Sequence, residues 1–266
     1  MTENGKNRSK GKKLKVGFYG ITGCAGCQLS VLFSEDDVLG LFDLVDVRAF
    51  PFLRAKNIEE EFDVVFMEGL VACEADLAVL KKLREKTKTL VALGACAHTG
   101  CVPAYRAFTL KENFVHLLFA KKPGIRELEP APLDAHVKVD YVIPGCPPDK
   151  REILAFIQDI AAGREPKSFN NPVCVECRRN NNKCLLEDNK PCLGPITLGG
   201  CNAICINGGF ECWGCRGQTD DLNIKEMISL LKSKGFSEEF IRERMRTFVG
   251  LKISRKTEET AGWLGP

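Results

Sequence analysis

Eight cysteines lie between positions 174 and 215, in the run CVECRRNNNKCLLEDNKPCLGPITLGGCNAICINGGFECWGC, and no other feature restricts the folding of this chain as strongly. The thiols stand at Cys174, Cys177, Cys184, Cys192, Cys201, Cys205, Cys212 and Cys215, among few large apolar side chains. Such a stretch cannot fold on hydrophobic burial alone, because it removes too little apolar surface from water to offset the entropy of ordering its backbone. Something must bind those sulfurs. Disulfides, structural zinc and iron–sulfur clusters are the candidates, and eight is two complete sets of four, which suits two zinc sites or two cubane clusters.

The remaining sequence bounds the setting. A chain of 266 residues holds one substantial core and a smaller appendage. Its hydrophobic fraction of 44% and charged fraction of 27% are those of a soluble globular protein. A net charge of +3 gives no reason to expect nucleic acid or an anionic membrane as partner. Residues 1–15 read as a basic, flexible tail, and no apolar stretch follows their lysines that could serve as a signal-peptide core. No window approaches the apolar length of a membrane span. The expectation is a soluble cytoplasmic protein whose fourteen cysteines are kept reduced and open to metal.

From 16 to 163 the pattern alternates between strand and helix. Apolar runs at 16–20, 44–50, 63–67, 89–93 and 139–143 read as strands, and 25–34, 74–86 and 148–161 carry apolar residues at helical spacing. The alternation predicts an α/β domain, a parallel sheet with helices on both faces. Ligands of such sheets sit beyond the carboxyl ends of the strands. There the first strand leads into GITGCAGCQ with Cys24 and Cys27, the fourth into GACAHTGC with Cys96, and the fifth into PGCPP with Cys146. Those thiols form a third set of four. Gly20, Gly23 and Gly26 are spaced G-x-x-G-x-x-G, not as the dinucleotide fingerprint, and suit close backbone approach to a cluster better than a phosphate loop. Cys73 and Cys101 are left over and read as buried small side chains, and His98 as hydrogen-bonding a neighbour.

After Gly163 the character changes. A polar linker, REPKSFNNP, leads into the cysteine-rich module of 164–266. The module closes with two helices. Asp220 and Asp221 are expected to cap the first, which carries Leu222, Ile224, Met227, Ile228 and Leu231; Gly235 ends it. Ser237 starts the second, with Phe240, Ile241, Met245, Phe248 and Val249 as its apolar stripe, read as core packing or docking onto the cluster module.

The series GCAGCQ, MEG, GACA, GCPP, CVECR, PCLGPIT, GGCNAIC and CWGCRG resembles the small subunit of cytoplasmic nickel–iron hydrogenases, among them the sulfhydrogenase delta and F420-non-reducing types. The resemblance runs from about Val16 to the helices after Cys215. It implies a flavodoxin-like first domain followed by a loop-rich two-cluster module with C-terminal helices. It also implies that Cys24, Cys27, Cys96 and Cys146 hold a proximal 4Fe-4S cluster beside the Ni-Fe site of a partner large subunit. By the same resemblance Cys174, Cys177, Cys184 and Cys192 hold a distal cluster, and Cys201, Cys205, Cys212 and Cys215 a medial one. Relatives with histidine at the position of Cys174 or proline near that of Cys205 differ here, so three 4Fe-4S clusters are expected. Relatives usually have glycine at the position of Cys101.

The role so implied is an electron relay to further redox subunits, not catalysis by this chain alone. Spacing agrees with the consecutive division of the eight thiols. Each half contains one C-x-x-C pair, and Gly194-Pro195 separates the halves. Two other readings compete: an iron–sulfur subunit of a complex-I-like or other reductase, and a zinc-binding interaction module.

Overall fold

The structure is a computed structural model that describes residues 13–33, 40, 43–58, 60–104, 127–220 and 223–261. Most of the expected basic tail, Ser34, Asp221, Leu222 and the side chain of Val249 lie outside the described residues. Strands β1 (Lys15–Gly20), β2 (Asp46–Ala49), β3 (Phe62–Glu68), β5 (Thr87–Leu93) and β7 (Tyr141–Ile143) form one sheet in the order β2-β1-β3-β5-β7. Every pairing in it is parallel. The five strands are those expected from the sequence, and the architecture is the α/β one.

Strand periodicity explains why the sheet is covered on both faces. Val16 and Phe18, Val64 and Phe66, and Val91 and Leu93 point to one side, where they meet Val31 of α1 (Gly26–Leu32) and Ile153, Phe156 and Ile157 of α4 (Lys150–Ala161). The alternate residues Tyr19, Val65, Met67, Leu90 and Ala92 face Leu80 and Leu83 of α2 (Glu74–Lys86). Aromatic rings lock the first layer: Phe18 stacks on Phe66 with centroids 4.8 Å apart, and Phe66 meets Phe156 edge-on at 5.7 Å. Each such ring, fully buried, contributes about 1.5–3 kcal/mol.

The sheet also fixes where the loops leave. Gly20 pairs with Glu68, Glu68 with Leu93, and Leu93 with Ile143, so four strands end at one level. The ladder continues into the loops through Gly94 N–H to Ile143 O at 2.8 Å and Ala95 N–H to Gly145 O at 2.7 Å. The segment after β5 then forms the short helix α3 (Ala95–Thr99). A second, two-stranded antiparallel sheet pairs β4 (Val71–Cys73) with β6 (Glu127–Ala131), and the apolar pattern does not predict it.

The cysteine-rich part has its own core. Val173 of α5 (Val173–Arg179), Leu186, Leu193, Ile196 and Ile206 of α6 (Ile204–Asn207) pack against Ile224, Met227, Ile228 and Leu231 of α7 (Ile224–Ser233). Ile241 and Met245 of α8 (Glu238–Ala261) complete it. Ile224, Met227, Ile228, Leu231, Ile241, Met245 and Phe248 of the two C-terminal stripes are therefore core packing against the cysteine loops, whereas Phe240 is exposed.

One expectation is corrected here. Asn223, not Asp220, caps α7: its side-chain oxygen accepts the N–H of Glu226 at 3.1 Å. The cap must stand immediately before the first helical residue to reach an unpaired N–H, and Asn223 does. Ser237 behaves as expected, accepting the N–H of Phe240 at 3.2 Å. Among the described residues, no helix is long and apolar enough to cross a membrane.

Candidate metal centres

All fourteen cysteines lie among the described residues, and each is a free thiol. Cys24 and Cys27 follow β1, Cys96 opens α3 after β5, and Cys146 follows β7, so the common level of the strand ends gathers them at one edge. Cys27 and Cys96 are buried, whereas Cys24 and Cys146 are exposed. The local backbone serves the sulfurs. Gly26 N–H points to Cys24 Sγ at 3.4 Å. Glu68, 2% exposed, accepts the N–H groups of Cys27 and Gln28 at 3.3 and 3.1 Å and so fixes the first turn of α1.

Gly94 is required here. Its backbone has φ 90° and ψ 170°, and a Cβ on it would overlap Cys27 Sγ. Burial, then the nearby Glu68 carboxylate, push the Cys27 thiol far up. A buried thiolate of this kind persists only where a cation compensates it, which is what a metal cluster supplies. The donor set fits an iron–sulfur centre.

Cys101 joins this site unexpectedly. It is buried, as the sequence suggests, but its Sγ lies 3.9 Å from Cys146 Sγ. Hydrogen bonding from the Cys101 S–H holds Cys96 below its ordinary value and Cys146 down at about 7. Only tertiary structure brings these thiols together; a lone cysteine five residues after Cys96 carries no such signal. Cys73, by contrast, departs from the expected burial. It is half-exposed at the N-cap of α2, where its N–H donates to Asp76 at 3.2 Å. His98 hydrogen-bonds as expected: Nδ1 lies 3.2 Å from Lys252 Nζ, which also contacts Asp134 at 2.6 Å. Burial, then Lys252, lower its pKa to about 4.

In the second part, Cys174 and Cys192 both face the open side of Gly194, 3.4 and 3.5 Å from where its Cβ would stand. Burial raises Cys174 to about 11, and Cys192, Cys177 and Cys184 contribute to the rise. Cys201, Cys205, Cys212 and Cys215 line a single cavity of about 930 Å³, and Cys146 lines it too. Burial raises Cys212 well above the ordinary thiol range and Cys215 to about 11, with the Cys146 N–H pulling Cys215 back. The two C-terminal sets meet where Cys192 and Leu193 lie against Cys212. Cys212 N–H donates to Cys192 Sγ at 3.3 Å, and Leu193 N–H to Cys212 O at 2.9 Å.

A zinc ion with four thiolates at about 2.3 Å draws its sulfurs close around one point, whereas a cubane carries each thiolate on a different iron. Among the described residues, no three His, Cys, Asp or Glu side chains are grouped so as to hold one ion.

Comparison with known proteins adds the following. Residues 24–160 match the family described as NADH ubiquinone oxidoreductase, 20 Kd subunit. The chain is 40% identical over 237 residues to sulfhydrogenase 2 subunit delta of Pyrococcus furiosus, covering 89% of this chain and 99% of that one. It is 33% identical over 238 residues to a subunit of the F420-non-reducing hydrogenase vhu of Methanocaldococcus jannaschii, covering 78% and 83%. A chain of the NAD+-reducing [NiFe]-hydrogenase in its H2-reduced state superposes with a TM-score of 0.53 at 32% identity, over 59% of this chain and 96% of that one. The actinobacterial-type NiFe-hydrogenase of Ralstonia eutropha H16 shares the fold over 96% of this chain, at 18% identity and a TM-score of 0.54.

Proposed function

Because this chain belongs to the family of nickel–iron hydrogenase small subunits, related to the 20 Kd subunit of NADH ubiquinone oxidoreductase, we propose that it is the electron-relay subunit of such an enzyme. Its partners are a large subunit carrying the Ni-Fe site and further redox subunits, and its setting is the cytoplasm. Cys24, Cys27, Cys96 and Cys146 hold the proximal 4Fe-4S cluster, Cys201, Cys205, Cys212 and Cys215 the medial one, and Cys174, Cys177, Cys184 and Cys192 the distal one. Bound there, the clusters supply one-electron carriers.

The chain's own residues supply the rest. Strands in register place the Cys24, Cys27, Cys96 and Cys146 loops at one edge, open to a partner at the exposed Cys24. N–H groups of Gly26, Cys146 and Cys212 are directed at cysteine sulfurs, and such bonds tune the potential of a bound centre. Of the middle set, Cys212 is buried, Cys201 and Cys215 are half-buried, and Cys205 is exposed on the wall of the central cavity.

The observation that carries the reading is continuity. Cys146 borders the cavity of the 201–215 set, and Cys192 touches Cys212, so the three sets adjoin in the order proximal, medial, distal. Iron and labile-sulfide analysis of the assembled protein tests it: about twelve irons per chain, four to a cubane, and no stoichiometric three-iron paramagnetic signal. Zinc in place of iron would overturn it.

The match to the 20 Kd family favours one alternative, a reductase subunit whose partner holds no nickel. Metal analysis of the co-purifying large subunit separates the two.

A further inference from the structure

Arg216 is buried to 1% exposure, directly after Cys215, and it lines the same cavity as Cys146, Cys201, Cys205, Cys212 and Cys215. The other charged residues of that wall, Lys150, Arg151 and Asp149, are exposed or half-exposed. Four bonds hold the guanidinium. Nε donates to Gly199 O at 2.7 Å and Nη1 to Pro144 O at 2.8 Å, while Nη1 and Nη2 form a fork on Glu152 at 2.6 and 2.9 Å. Phe169 covers one face, its ring centroid 5.5 Å away. Gly200, at φ 111°, has no Cβ because one would run into the guanidinium.

The acceptors come from both halves of the molecule. Pro144 precedes Cys146 in the loop after β7, and Glu152 lies on α4, whereas Gly199 precedes Cys201 in the cysteine-rich part. Burying an ion pair is on balance neutral or unfavourable compared with a well-packed apolar pair, so stability alone does not account for a full charge at this place. Glu152 is not part of the cavity lining. Arg216, not Glu152, is therefore the member of the pair that shares the cavity wall with the thiols.

We propose that Arg216 is a positioning residue of the relay, a fixed positive charge between the Cys146 loop and the Cys201–Cys215 set that raises the reduction potential of the cluster held by that set. Glu152 moderates the charge. The inference rests on the cluster assignment proposed above. Reduction adds an electron, and a nearby cation stabilises the more negative state; Arg216 remains protonated at any accessible pH. The same side chain ties the Pro144–Cys146 turn to Gly199, so it also sets how closely two of the thiol sets approach.

The test is a redox titration of the assembled complex, followed by paramagnetic resonance, in wild type, Glu152→Gln and Arg216→Gln, with iron counted in each. Glu152→Gln removes a negative charge, keeps the guanidinium and its two carbonyl acceptors, and should shift one of the three midpoints upward. Arg216→Gln should shift the same midpoint downward and leave the other two in place. Opposite shifts at one centre are the signature of charge, since a merely structural role would move both variants alike or lose iron from both. Should Arg216→Gln not assemble, the upward shift in Glu152→Gln decides alone. Unmoved midpoints in Glu152→Gln, or shifts of the same sign in the two variants, overturn the proposal. A wild type without clusters would instead overturn the relay reading beneath it.

Discussion

Replacing Gly94 by alanine should remove one cluster and leave the fold and the other two intact. Gly94 has φ 90° and ψ 170°, a region essentially restricted to glycine, and holding alanine there costs about 1–3 kcal/mol. Against a total stability of roughly 5–15 kcal/mol, that strain leaves the domain folded. The added Cβ does something more specific. It overlaps Cys27 Sγ and lies 3.4 Å from Gly145 O, between two of the loops that bear the first thiol set. Cys27 must move, and the set loses a ligand.

Iron per chain should therefore fall from about twelve to about eight, together with loss of one paramagnetic signal. Gly163→Ala is the control. It also has a positive φ, of 68°, but nothing within 4 Å of the new Cβ, so about 1–2 kcal/mol of stability is lost and no iron. Full iron and unchanged signals in Gly94→Ala would refute the argument that this glycine exists to admit the Cys27 sulfur.

Two further substitutions test the frame around the sites. Arg244 lies 3.3 Å from the centroid of Trp213, bonds Glu211 at 3.2 Å and is 4% exposed, so Arg244→Ala should cost about 3 kcal/mol in chemical denaturation and increase the exposure of Trp213 to fluorescence quenchers. Burial alone would raise Asp140, but the Leu90 N–H at 2.9 Å and Arg84 at 2.6 Å outweigh it and hold its carboxyl below the ordinary 3.8. A depressed carboxylate stabilises the fold above its unfolded pKa, and that contribution is lost as pH falls through the folded value. Asp140→Asn should accordingly be less stable than wild type at neutral pH, the gap narrowing only below about 3.8 in denaturation series taken across pH.

Much of this molecule can be read from its sequence because strands and helices here follow apolar periodicity closely. The five parallel strands and helices α1, α2 and α4 all show in the pattern, and Cys24, Cys96 and Cys146 fall where strand ends have to deliver them. The β4–β6 pair does not show, because three- and five-residue strands more than fifty positions apart leave no periodic trace. The cap of α7 is misplaced by a preference for the aspartates when Asn223 stands nearer the first turn. Contacts between distant loops are equally hidden. Nothing in the local sequence of Cys101 says that its thiol meets Cys146, and nothing around Arg216 says that it spans the two halves of the chain.

The relay itself is tested most directly by exposing the purified complex to hydrogen, with no other reductant, and following the broad visible absorbance of its iron–sulfur centres. The account predicts that hydrogen alone bleaches this absorbance, that nickel is present in the co-purifying large subunit, and that the isolated, reconstituted chain shows no bleaching. An intact complex whose iron–sulfur absorbance hydrogen leaves unchanged, or an isolated chain that hydrogen reduces without its partner, would contradict it.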